Sequence, residues 1–438
     1  MINRILSNSL LVVASLLLTA SAMEIGDEVL YHVQTGRWIW RDGPAPLPPR
    51  VIQALPESDN HLQLHPYYGF MAKPGLRLKD LTKYQDILQQ FGQRFADEVW
   101  PNLSVNNAGF WSVHDYPFAY DSTRDFVIGV FGGSVAEQFS LTMDHTLAGA
   151  LKDDPRIAGK HLVLLDFGNG GAKQPQQLEA LAYFLTLGQK FDLVLNLDGF
   201  NELFGAWLNL HETHTRIEMP LGRFLRGIQT LALSTELLAE GQETKAALAG
   251  SEAWRSHVHF AIERRIADLV VNLRRRHLSD LERRVTTLNR ESTQTWPLPL
   301  PASDPDVNYE QTVAEQWLSA SIAMHNLAAG FGIPYLHVLQ PNQYFRHEEF
   351  DATDRDRFLN VKDPPLGDIV PRVYNEYLAR TDALRSHGVA FLDATGVFMG
   401  KAAFYNDDCC HFNPAGNQVL ARLIASRIAT LLAASQPH

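Results

Sequence analysis

Four polar side chains at the ends of apolar stretches carry the chemistry that this sequence can do. Ser134 closes the segment Val130-Phe131-Gly132-Gly133-Ser134, directly after an apolar run over residues 125–131 and before a stretch of helical composition. A serine on such a strand-to-helix turn projects at the carboxyl edge of a sheet, near the positive end of a helix, where a nucleophile is well placed. His411 lies far away in Asp407-Asp408-Cys409-Cys410-His411-Phe412-Asn413-Pro414. An Asp408 three residues before it can share its turn and accept the imidazole N–H, leaving the other ring nitrogen to take a proton from a serine. Asn201, in Asp198-Gly199-Phe200-Asn201-Glu202, offers an amide, and Gly168-Asn169-Gly170-Gly171 is a turn whose backbone amides can approach a ligand closely. A tetrahedral oxyanion needs such donors. Plainer structural roles fit the same residues. Ser134 and Glu137 have capping-box spacing, and Asn413 followed by Pro414 reads as the start of a terminal helix.

These residues need a frame that gathers them. Apolar strands are expected over residues 125–131, 162–167, 193–197, 334–339 and 389–393, and helices from 135 and over 176–189, 310–330, 370–387 and 413–434. This alternation predicts a parallel sheet covered on both faces, with the strand-end loops on one edge. Residues 351–368 read as a polar loop. Residues 203–310 interrupt the rhythm. Ile262, Ile266, Leu269 and Leu273 recur at helical steps there, so the segment reads as an inserted helical subdomain closed by an extended linker over 296–305. Its position directly after Asn201 makes it a candidate lid. Residues 23–120 read as a cover segment, and residues 121–202 and 311–438 as the two parts of the α/β domain.

The chain has 438 residues, 45% of them hydrophobic, enough for a large core. Thirty-eight basic against 49 acidic residues give a net charge of −11, which argues against nucleic acid as the main partner. The Arg274-Arg275-Arg276 run reads as a solvated helix face. Residues 1–22, with Arg4, an apolar run to about Leu18 and the small residues Ala20-Ser21-Ala22, read as a secretory signal peptide. That makes the expected location secreted or periplasmic, with no stable membrane span after cleavage. The two cysteines are neighbours, so a stabilising disulfide framework is excluded. His61 and His65 lack a third ligand, and His211, Glu212 and His214 lack the spacing of a zinc peptidase.

Together the four blocks resemble the SGNH (GDSL-like) hydrolase superfamily, in which Ser, Gly, Asn and His come in this order from four strand-end blocks. The resemblance covers residues 121–202 and 311–434. Gly133-Ser134 stands at the nucleophile block, with Gly-Gly-Ser in place of Gly-Asp-Ser. Gly171 matches the oxyanion glycine, Gly170 being the neighbouring register, Gly199-Phe200-Asn201-Glu202 matches the third block, and Asp408 with His411 matches the last. The resemblance implies a three-layer α/β/α sandwich with five parallel strands in a flavodoxin-like arrangement. It also implies a serine esterase acting through an acyl-enzyme on O-acyl esters, small-molecule or glycan, without metal or cofactor. Ser134 is then the nucleophile, His411 the base and Asp408 its partner, with Asp407 the alternative, while Ser134, Gly171 and Asn201 form the oxyanion hole. An O-acyltransferase using the same residues and a non-catalytic binding protein on the same fold are the competing expectations.

Overall fold

The computed structural model describes residues 2–47, 62–78, 97, 99, 101–294, 306–345 and 349–434. The expected linker 296–305 and His61 lie outside the described residues. In chain order, helices α1 (Ile2–Thr35) and α2 (Ile39–Asp42) precede two small antiparallel hairpins. These are β1 (Leu62–His65) with β2 (Gly69–Ala72) and β3 (Ser104–Val105) with β4 (Trp111–Ser112). Next come β5 (Asp125–Gly132), α3 (Ser134–Thr142), α4 (Asp144–Leu151), β6 (His161–Gly168), α5 (Gln176–Thr186), β7 (Leu193–Asp198) and α6 (Phe200–Leu208). A π-helical turn (Asn209–Thr213) and the long helices α7 (Gly222–Ser256) and α8 (Ala261–Gln294) follow. The chain ends with α9 (Tyr309–Gly330), β8 (Tyr335–Leu339), α10 (Ala352–Phe358), α11 (Leu366–Ala379), α12 (Thr381–Ser386), β9 (Ala390–Asp393) and α13 (Pro414–Ala434).

The five long strands form one parallel sheet in the order β6-β5-β7-β8-β9. This is the doubly wound order of a flavodoxin-like fold. Every residue of β5, β7 and β8 is buried, as expected of strands with both faces covered. Helices α5 and α9 pack together, as do α4 and α13, so each face of the sheet has its own layer. The expected strands are present at nearly their expected limits. The region read as a polar loop contains α10, whose start is capped by the Asp351 carboxylate accepting from the Asp354 N–H at 2.8 Å.

One buried polar network clamps α9 onto the sheet. Asp198 accepts from Trp317 Nε1 and from His337 Nε2, each at 2.8 Å, and its second oxygen accepts from Asn196 at 2.7 Å. The other nitrogen of His337 lies 2.7 Å from the Ser321 hydroxyl. Ser321, His337 and Asp198 thus repeat the atom types of a hydrolytic triad. Burial decides their role: the His337 and Asp198 side chains retain 0% and 1% exposure, so no substrate reaches them and the network is structural.

By its internal contacts the chain divides into two units, residues 1–60 with 229–295 and residues 61–228 with 296–438. These limits differ from those read in the sequence. The N-terminal residues belong with the long helices, and residues 203–228 fold with the α/β unit. In that unit Leu208, Leu221 and Leu225 pack with Phe70 of the first hairpin. In the helical unit, the Glu24 carboxylate of α1 accepts the free N–H groups of Ala261 and Ile262 at the start of α8. Leu248 of α7 packs against Val271, Leu278 and Val285 of α8. Ile266, Leu269 and Leu273, the stripe noticed in the sequence, are more than half exposed instead. Arg274 donates to the Ala247 carbonyl and the Ser251 hydroxyl, and Arg275 pairs with Glu252 at 2.7 Å, so two of the three arginines read as solvated serve helix packing. Helix α1 runs unbroken through Ala20-Ser21-Ala22. Among the described residues no helix is long and apolar enough to cross a membrane.

Candidate active site

The loops leaving β5, β6 and β7 all emerge at the carboxyl edge of the sheet, where Gly132 is in register with both Gly168 and Leu197. Ser134 follows Gly133 as the first residue of α3. Its hydroxyl is not spent on capping the helix; it donates to Nε2 of His411 at 2.7 Å, across 277 residues of sequence. Gly133 is required by a close approach, since a Cβ there would stand 1.8 Å from Nδ2 of Asn201.

The base is held by a tight turn. Tyr405 and Phe412 form an antiparallel bridge around it, and the Asn406 N–H donates to the His411 carbonyl at 3.0 Å. Inside the turn, one oxygen of Asp407 accepts the N–H groups of Cys409, Cys410 and His411 at 3.0, 2.9 and 3.1 Å. The other oxygen accepts from Nδ1 of His411. This bond fixes the tautomer that leaves Nε2 free to receive the Ser134 proton. Burial by itself would raise the Asp407 pKa, but the His411 hydrogen bond, the imidazolium charge and the turn amides outweigh it and hold the carboxyl down at about 2.

The partner of His411 is therefore Asp407, a correction to Asp408 by one residue. Asp408 has an exposed side chain, and only its carbonyl is engaged, accepting from the Tyr344 hydroxyl at 2.9 Å. The physical reason is the turn itself. With three successive amides converging on the Asp407 carboxylate, the residue four before the histidine faces inward and the residue three before it faces solvent. Gln343, just after β8, braces the turn by donating to the Asp407 carbonyl at 3.0 Å. Cys409 and Cys410 are free thiols, the first half-buried and the second buried.

The donors expected around an oxyanion converge on the same edge. Ser134 N–H lies in the first turn of α3, where no intrahelical acceptor exists. Among the described residues neither this N–H nor that of Gly171 has a hydrogen-bond partner. Asn201 uses one amide hydrogen on the Ala172 carbonyl at 2.9 Å, which leaves the other available. The Glu202 carboxylate ties the two donor loops together, accepting from the Gly199 N–H at 2.8 Å and from the Gln174 N–H at 3.1 Å. Burial foremost, then the Asp198 charge, pushes its pKa up to about 8. Glu202 escaped the sequence reading as a site residue, being visible only as the last letter of the third block.

Accessibility separates this constellation from the buried look-alike. The His411 and Asp407 side chains retain 21% and 35% exposure, so the site opens to solvent. Among the described residues no cluster of His, Cys, Asp and Glu could hold a metal ion. A strand-edge contact supplies the first testable outcome. A Cβ at Gly168 would stand 2.4 Å from the Glu137 backbone nitrogen. Gly168→Ala should therefore push α3 away from β6 and cost about 1–3 kcal/mol, read as a lowered urea midpoint at unchanged slope.

No family model matches the chain, and no curated protein matches it. Among solved structures, it is similar to a lipase/acylhydrolase from Enterococcus faecalis at 12% identity and a TM-score of 0.33, with 70% of this chain and 96% of that chain covered. It is also similar to LAE5, an alpha/beta hydrolase enzyme from the metagenome of Lake Arreo, Spain, at 15% identity and a TM-score of 0.34, with 71% and 98% covered. At such TM-scores the likeness is too loose to bear on chemistry.

Proposed function

We propose that this chain is a serine ester hydrolase of the SGNH type, acting through an acyl-enzyme on O-acyl esters. The observation that carries the reading is the chain of contacts from the Ser134 hydroxyl through His411 to Asp407 in a site open to solvent. In the reaction, Ser134 Oγ attacks the ester carbonyl while Nε2 of His411 takes its proton. The imidazolium so formed is stabilised by Asp407 and then protonates the departing alcohol. Water, deprotonated by the same nitrogen, attacks the acyl-enzyme, and Ser134 recovers its proton as the acid leaves. The negative charge of both tetrahedral intermediates falls to the N–H groups of Ser134 and Gly171 and the amide of Asn201.

The leader-like composition of residues 1–22 supports a secreted or periplasmic setting, and with it small acyl groups on a glycan as substrate. The test begins with a fluorophosphonate probe on the purified protein, followed by a panel of esters graded by acyl length and by sugar or lipid alcohol. An intact chain that never labels would defeat the proposal. Transfer of the acyl group to an added sugar alcohol in preference to water would identify an O-acyltransferase.

Asn201 gives a graded prediction. Removing one oxyanion donor costs about 10²–10³ in turnover, so Asn201→Ala should be slow and still measurable. Wild-type kcat in that variant would remove Asn201 from the mechanism.

A further inference from the structure

Gly171 has apolar neighbours that the steps of the reaction do not use. A Cβ on Gly171 would stand 2.7 Å from Cε2 of Phe224 and 3.4 Å from Cδ1 of Leu221, so both side chains lie directly against the backbone that offers an oxyanion donor. Phe224 is half-buried in the first turn of α7, and its ring meets that of Phe70 edge-on, with centroids 5.1 Å apart. Phe70 belongs to the first hairpin, and its carbonyl accepts from Nδ2 of Asn169 at 2.9 Å. Hairpin and helix thus converge on the loop after β6. Buried polar groups hold this wall in place. The fully buried Asn209 side chain donates to the Arg216 and Met219 carbonyls at 3.2 and 2.8 Å and accepts the Gly222 N–H at 3.0 Å, which sets the start of α7. Lys173, two residues beyond Gly171, is buried and donates from Nζ to the Ile217 carbonyl. An ammonium taken out of water is costly without such a bond, so the segment leading to Leu221 stays tied to the oxyanion loop.

We propose that Phe224 is the residue that limits acyl-chain length: its ring, backed by Leu221 and Phe70, closes the acyl side of the Ser134 site and confines the substrate to short acyl groups. The proposal rests on the esterase reading of Ser134, and the topology then decides which half of the ester meets the ring. His411 must protonate the departing alcohol, so the alcohol lies against the imidazole. That imidazole reaches Ser134 from the β8 side of the sheet, its turn being braced by Asn342, Gln343 and Tyr344 just beyond β8. The loop after β6 stands at the opposite flank, with β5 and β7 between β6 and β8. The serine oxygen, the oxyanion and the alcohol each have a direction at the tetrahedral carbon. The fourth substituent, the acyl chain, is left the β6 side, where Phe224 stands. A ring packed on both flanks cannot turn aside for an added methylene without strain. Apolar sites that accept or refuse one methylene discriminate by about 10–200-fold.

The test measures kcat/KM of the full chain on p-nitrophenyl esters graded from acetyl through butyryl and hexanoyl to octanoyl. The octanoyl-to-acetyl ratio should rise about 10²-fold in Phe224→Ala. In Phe224→Trp, whose larger ring takes up further space, the butyryl-to-acetyl ratio should fall about 10-fold. Shifts in opposite directions do not arise from a merely loosened structure. A second series, with the acyl group held as acetyl and the alcohol enlarged, should give the same profile in wild type and variants. Acyl ratios that move in neither variant, or an alcohol series that shifts as much as the acyl series, would overturn the proposal. If Phe224→Ala does not fold, Phe224→Leu takes its place and the same ratios decide. Failure of the esterase reading shows separately. A folded wild type that neither labels nor turns over any ester of the series removes that reading and this assignment with it, whereas a wild type that labels while the ratios stay fixed overturns the role of Phe224 alone.

Discussion

Replacing Ser134 by alanine will abolish fluorophosphonate labelling and reduce ester turnover by on the order of 10⁶, the scale on which triad serine hydrolases lose rate with their nucleophile. Among the described residues two other buried serine hydroxyls cannot substitute. The Ser140 hydroxyl is committed to Asp166, and that of Ser321 is enclosed with His337. His411→Ala should cost a similar amount, and the double variant little more, because nucleophile and base act as one unit. The measurement is single-turnover acylation beside steady-state kcat. A Ser134→Ala protein that still labels or still turns over at a tenth of the wild-type rate would show that the contact with His411 is incidental. Folding is not at stake, since Ser134 makes no cap bond in α3.

The second large effect separates two adjacent residues. Asp407→Asn should lower kcat by about 10⁴, because an amide can present its N–H to the imidazole and stabilise the tautomer that cannot accept the serine proton. Asp408→Asn should leave turnover near wild type, its side chain being at the surface. The pH profile carries a matching signature. With its carboxyl held down at about 2, Asp407 stays charged near neutrality, so an acid limb in the proposed reaction is not its own. The sign for stability follows from that depression. The folded form binds this proton less readily than the unfolded chain, so the contribution of Asp407 is complete above the ordinary carboxylate range and fades as pH falls towards 2. Equal losses in the two variants would place the orienting charge elsewhere.

The sequence is most legible where one residue's environment is set by its near neighbours. The run over residues 125–131 reads as a strand buried on both faces and the glycines behind it as a turn, and the structure has the strand end at Gly132 and the helix begin at Ser134. Asp408 against Asp407 shows the limit of that legibility. Both lie within reach of His411 in sequence, and the choice depends on which carboxylate collects the amides of residues 409–411, a property of the folded turn. Glu137 shows the same limit from another side: its spacing from Ser134 satisfies a helix cap, and only the folded sheet brings Gly168 of the neighbouring strand against its backbone. The helical unit was hardest. The association of α1 with α8 depends on Glu24 meeting the amides of Ala261 and Ile262, some 237 and 238 residues away, and local periodicity carries no trace of such a pairing. Periodicity also misled over Ile266, Leu269 and Leu273, because α8 has two apolar stripes and the one with smaller residues, Ala267 and Val271, is buried.

The wide separation of Ser134 and His411 along the chain has a consequence for how the protein comes into being. The turn that carries the base immediately precedes α13, which packs against α4 beside the nucleophile's own helix. On the proposed esterase reading, β5, α3 and both donor loops hold a serine that is still an ordinary alcohol until the turn ahead of α13 brings His411 to it, so activation of the nucleophile depends on the docking of α13.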